Sequence, residues 1–222
     1  MQRIPEPELM DEFEQARAYA EADFAEPNER FVALFAARFP ELSTGSILDL
    51  GCGPGDIALR LARRNPALSV HGLDGSSPML AFGAARLRDE PELATRVRFV
   101  QGILPGATLP LDAYDAVVSN SLLHHLHDPM VLWRAVLGHG APGAAVLLMD
   151  LFRPGSTEAA RRIVAAYASG EPGVLQQDFF NSLCAAFTPD EVRAQLAACG
   201  LHALEVSTVS DRHMIVAGRL PA

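Results

Sequence analysis

The sequence predicts a doubly wound α/β fold, and three observations predict it. Short apolar runs recur across residues 46–150 with helical stretches between them. Those runs lack polar alternation, which marks strands buried on both faces, as parallel strands covered by helices are. A glycine-rich turn separates the first run from the first helix that follows it, the place where such sheets bind ligands. The expected product is a seven-stranded, mostly parallel sheet with helices on both faces and an antiparallel hairpin at its C-terminal edge.

The elements follow in order. Residues 6–26 read as a polar, acidic helix ended by Pro27, and residues 29–38 as a second helix with Phe31, Leu34 and Phe35 on its apolar face. Strands are expected at 46–50, 68–74, 97–102, 114–120 and 144–150, with helices at 56–64, from Ser77 to about Arg88, and from Asp128-Pro129 to about Leu137. Residues 156–187 read as two helical pieces split by Gly170-Glu171-Pro172-Gly173. Thr188-Pro189-Asp190-Glu191 has the form of a capping box with proline at the first helical position, and its helix ends at Gly200. Strands at 202–210 and 212–219 are joined by a link too short for anything but antiparallel pairing.

The 222 residues suffice for one domain. It divides into an N-terminal helical cap (1–40), a ligand-binding core (46–150), a helical insert on the substrate side (151–187), and a final helix and hairpin (188–222). With 18 Lys and Arg against 27 Asp and Glu, the net charge is −9. Such a surface repels phosphate backbones, so no nucleic-acid partner is expected. No apolar stretch approaches the roughly 18 residues that span a bilayer, and the acidic N-terminus has no apolar core of a signal peptide. The three cysteines form no CxxC pair. A cytoplasmic protein, monomer or homodimer, is the expectation.

The most informative stretch is Asp49-Leu50-Gly51-Cys52-Gly53-Pro54-Gly55-Asp56. The dinucleotide fingerprint needs its third glycine where Asp56 stands. Asp49 and Asp56 also oppose a phosphate at this helix N-terminus. A ligand bearing a cation and no phosphate suits the loop better. About 20 residues on, Asp74 ends the second strand, where a carboxylate can accept from both ribose hydroxyls.

On these residues the chain resembles the class I S-adenosylmethionine-dependent methyltransferases. The stretches DLGCGPGD, GLDGSSPML, YDAVVSNSLLHHL and PGAAVLLMD occur in that family's order and approximate spacing, and AFTPDEVRAQLAACGL is similar to its last helix. The resemblance implies a Rossmann-like fold and S-adenosylmethionine as cofactor. It also implies roles. Gly51, Cys52 and Gly53 line the methionine part, with Asp49 at the ammonium. Asp74 holds the ribose, and Gly75 and Met79 border the adenosine. Ile103 stands where many members place an adenine-reading Asp, so the Gly102–Ile103 backbone serves instead. Ser119 and Asn120 face the reacting methyl.

His124 and His125 follow the fourth strand and are the candidate catalytic residues, since imidazole titrates near neutral pH. A local metal site of His124, His125, His127 and Asp128 is not expected, because neighbours in a tight turn rarely converge on one ion. Asp150 either contacts substrate or caps a loop, and Arg153 either binds an acid or forms an ion pair. Phe152, Tyr167, Phe179, Phe180 and Phe187 read as pocket lining or as core. The function expected is methyl transfer to a small-molecule acceptor. A non-catalytic sensor of the cofactor, or an enzyme using it for aminopropyl or carboxymethyl-donor chemistry, are the other readings.

Overall fold

The computed structural model describes residues 1–222. Two helices, α1 (Phe13–Glu21) and α2 (Ala25–Arg38), precede the sheet. Then β1 (Gly45–Leu50), α3 (Asp56–Arg64), β2 (Leu68–Asp74), α4 (Ser77–Asp89), β3 (Val97–Gln101) and β4 (Tyr114–Asn120) alternate. A short 3₁₀ turn at Leu123–His125 leads to α5 (Met130–His139) and β5 (Gly140–Leu151). The helices α6 (Thr157–Tyr167), α7 (Gly173–Ala185) and α8 (Pro189–Ala198) precede β6 (Leu204–Thr208) and β7 (His213–Arg219).

The seven strands lie in the order β3-β2-β1-β4-β5-β7-β6. The first five are parallel, with Leu50 beside both Leu73 and Ser119. β7 enters antiparallel between β5 and β6, pairing Met149 with Ile215 and Ser207 with Ile215. The chain order reverses between β1 and β4. The connections after these two strands lead to helices on opposite faces, α3 and α5, and a crevice opens at the carboxyl ends between them.

Alternation along each strand builds a core on each face of the sheet. Ile47, Val118 and Leu147 pack with Phe31 and Phe35 of α2 and Ile57 and Leu59 of α3. Leu48, Val117, Val146 and Leu148 pack on the other face with Trp133 and Val136 of α5 and Leu196 of α8. The buried Trp133 indole donates to Gln195 Oε1 at 2.9 Å, so its N–H is not stranded. A smaller cluster of Leu151, Ala160, Val164 and Leu183 joins α6 and α7 to the sheet edge.

Several boundaries differ from expectation. Residues 6–12 are not helical, and Pro27 sits in the first turn of α2 rather than ending α1. The first turn has no intrahelical bond for a proline to remove. In α4 the N-cap is Ser76, whose hydroxyl accepts from the Met79 N–H, and Pro78 falls inside the first turn. No helix is long and apolar enough to cross a membrane.

Candidate functional site

The loop after β1 is built from glycines in the left-handed region. At Gly51 (φ 69°) a Cβ would lie 2.8 Å from the Leu122 side chain, and at Gly55 (φ 78°) it would strike the Phe99 ring. Gly53 (φ 52°) has nothing within 4 Å of its Cβ position, so its backbone faces open space. The Gly51 and Cys52 N–H groups both donate to the Leu73 carbonyl, at 2.8 and 3.0 Å, tying the loop to β2.

Asp74 fixes the loop from the other side. Its Oδ2 accepts from the Gly53 N–H and its Oδ1 from the Ser76 N–H, each at 2.8 Å. Burial still raises its pKa above the ordinary carboxylate value. Asp49 is more extreme. It is 1% exposed, its Oδ2 has no hydrogen-bond partner, and burial, with the Asp74 charge second, pushes its pKa up to about 8. A stranded buried carboxylate is costly unless a cation meets it. A cationic group on a ligand meets that need. The Cys52 thiol is buried and pushed well above its ordinary pKa, so it is small filler packed on Gly72, not a nucleophile.

These groups open on one cavity of about 770 Å³. Asp49, Gly51, Cys52, Gly53, Asp74, Gly75, Met79, Gly102, Ile103, Asn120, His124 and His125 all line it. Ser119 stands off its wall: the hydroxyl donates to the Leu50 carbonyl at 2.7 Å and ties β4 to β1. Ile103 is 60% exposed and sits at the rim. Asn120 Oδ1 has no partner. Tyr19 and Phe24 line the cavity from the N-terminal side, and Tyr167 and Phe179 line it from α6 and α7, whereas Phe187 belongs to the sheet core.

His124 and His125 sit on a tight corner that starts at Ser121, a non-glycine residue with φ 59°. Asp150 organises the corner. Its Oδ2 accepts from the Leu123 N–H at 2.7 Å and its Oδ1 from His124 Nδ1 at 2.5 Å. Burial disfavours charge on His124, but Asp150 and then Glu6 outweigh it and hold its pKa above the ordinary value. Burial, with His124 second, pushes His125 down to about 3 and keeps it neutral. Arg153 is not at the site: it bonds the Ala186 carbonyl at 2.7 Å and Glu191 at 2.6 Å.

Residues 1–12, of which 6–12 were expected to be helical, run instead as a strap along the cavity. Arg3 donates to the carbonyls of His124 and Leu126, each at 2.9 Å, and its guanidinium stacks 3.9 Å from the Phe187 ring centre. Glu6 accepts from Ser182 Oγ at 3.0 Å, and Glu8 from the His127 N–H at 2.7 Å. The Met10 carbonyl accepts from Ser76 Oγ at 2.7 Å. Pro5 and Pro7 were the available signal, since prolines at this spacing oppose a helix through Glu6.

Residues 47–143 match the family described as methyltransferase domain. An uncharacterized methyltransferase of Mycobacterium tuberculosis is 34% identical over 127 residues, covering 57% of this chain and 60% of its own. A trans-aconitate 2-methyltransferase of Methylobacterium radiotolerans is 34% identical over 158 residues, covering 68% of this chain and 57% of its own. The chain thus spans about 60% of the length of these two curated relatives. The crystal structure of a SAM dependent methyltransferase from Aquifex aeolicus aligns with a TM-score of 0.68 at 15% identity, over 94% of this chain and 98% of that one. That likeness shows the fold. The sheet order and the glycine loop that ends β1 agree with that match: residues 47–143 carry a methyltransferase domain on the fold of the class I S-adenosylmethionine-dependent methyltransferases.

Proposed function

We propose that the protein transfers a methyl group from S-adenosylmethionine to a small-molecule acceptor. The observation that carries this reading is the stranded Asp49 carboxylate beside Gly51–Gly53 and Asp74, in one cavity with His124 and His125. When bound, the cofactor supplies an electrophilic methyl: the acceptor's nucleophile bonds to its carbon as the carbon–sulfur bond breaks, and the electron pair stays on sulfur. The chain's part is to orient and to exclude water. Asp49 holds the ammonium, Asp74 the ribose, and the Gly102–Ile103 backbone the adenine edge. Residues 46–150 form this half. The strap, α1, α2 and the 151–187 insert enclose the acceptor, with His124 and His125 at its reacting group.

The cavity wall favours a neutral or cationic acceptor. It carries Glu8, Asp23, Glu26, Asp49, Asp56, Asp74, Glu171 and Asp178 against Arg60, Arg86 and Arg212, and the first two arginines pair with Asp56. Trans-aconitate, the acceptor named for one group of relatives, belongs in the screen as the anionic control. The test is calorimetric titration with S-adenosylmethionine, S-adenosylhomocysteine and NADH, on the wild type and Asp74→Ala. Micromolar binding of both sulfur ligands, lost in the variant and absent for NADH, is expected. A folded protein that binds neither sulfur ligand overturns the reading.

A further inference from the structure

We propose that Glu6, His124 and His125 form a binding site for a divalent first-row metal ion, zinc foremost, in the wall of the cavity. Glu6 Oε1 lies 3.6 Å from His124 Nε2 and 3.3 Å from His125 Nδ1, and the three atoms all fall within 4.8 Å of one another. Ligands on a tetrahedral ion with bonds of about 2.0–2.1 Å stand about 3.3–3.4 Å apart. Two edges of the triangle already have close to that spacing.

Hydrogen bonding fixes which atoms point inward. His125 Nδ1 is buried, faces Glu6 Oε1 at 3.3 Å and has no hydrogen-bond partner. His124 gives its Nδ1 to Asp150 and directs Nε2 at Glu6, at a distance too long for a hydrogen bond. Three potential electron-pair donors therefore face one another, and no hydrogen bond joins them. A cation resolves that arrangement.

The surroundings are those of a metal centre. A ligating histidine usually donates its other nitrogen to a carboxylate, as His124 does to Asp150, and Ser182 Oγ holds the Glu6 oxygen at 3.0 Å. Two imidazoles and one carboxylate suit Zn²⁺ or a similar ion, whereas Mg²⁺ and Ca²⁺ prefer oxygen alone. Three protein ligands leave a fourth position for water or an acceptor oxygen. The site also clasps the strap, through Glu6, to the corner after β4.

The experiment uses the whole chain, stripped with a chelator and titrated with Co²⁺ while its visible absorption is followed. Zn²⁺ then competes. Glu6→Gln, which keeps a partner for Ser182, and His125→Gln are titrated alongside, and S-adenosylhomocysteine calorimetry on each sample reports an intact cofactor half. One equivalent of Co²⁺ with tetrahedral bands is expected, displaced by Zn²⁺, with affinity at least about tenfold weaker in both variants while the sulfur ligand still binds. A wild type that binds S-adenosylhomocysteine but shows no Co²⁺ bands overturns the proposal, since a proton then holds the cluster. Bands unchanged in Glu6→Gln and His125→Gln overturn it as well.

Discussion

Asp49 has a pKa near 8 in the folded, ligand-free protein, against about 3.9 in an unfolded chain. The folded state therefore keeps a proton that the unfolded state has released. Stability falls as pH rises between about 4 and about 8, and levels off above. Thermal melts of the ligand-free protein at stepped pH check this, and Asp49→Asn flattens the slope and raises Tm at neutral pH. A cationic ligand favours the ionised form, so the Kd for S-adenosylhomocysteine tightens with rising pH up to about 8, by at most about tenfold per unit. Asp49→Asn loses that dependence and binds more weakly, which calorimetry across the same pH range measures. Asp49, Asp74 and the glycines are adjacent to strand ends and were legible in the sequence. The bond from His124 to Asp150 was not, because it joins the ends of two different strands. Ser119 was placed at the right end of β4, but spacing along the chain does not say that its hydroxyl turns to the Leu50 carbonyl.

Among the elements, α8 was legible because its start is encoded locally. Thr188 Oγ1 accepts from the Glu191 N–H and the Glu191 carboxylate accepts from the Thr188 N–H, with Pro189 at the first helical position. Thr188→Ala is expected to cost about 1 kcal/mol in chemical denaturation. Glu191→Ala is expected to cost more, because it also strips the partner from the buried Arg153 guanidinium. The N-terminal helices were misjudged for the complementary reason. Residues 6–12 are held by contacts to Ser182, His127 and Ser76, none of which is a neighbour in sequence. A polar, acidic stretch carries little periodicity to separate a strap from a helix. The early start of β5 at Gly140 comes from its pairing with Tyr114, where the register shifts.

For the whole molecule, the sheet was legible because alternating buried strands and helices admit few topologies. The reversal between β1 and β4 then placed the crevice. What the sequence left open is how the crevice is closed. The strap joins the cofactor end, through Ser76 and Met10, to the corner of His124 and His125, through Arg3 and Glu6. Hydrogen exchange is expected to slow across residues 1–12 when S-adenosylhomocysteine binds, and an unchanged exchange rate there argues against a strap that covers the ligand.

The bond between Ser76 and Met10 has a kinetic consequence. Ser76 is two residues from Asp74, the carboxylate proposed to hold the ribose, so on that proposal a ligand leaves only once the strap peels. Escape is then a small unfolding event, with the steep temperature dependence of one. Dissociation of S-adenosylhomocysteine, followed by stopped flow, should quicken in urea well below the concentration that unfolds the sheet. Ser76→Ala should quicken it without urea. Turnover at saturating substrate would then follow the peeling rate of a dozen residues rather than the chemistry beneath them.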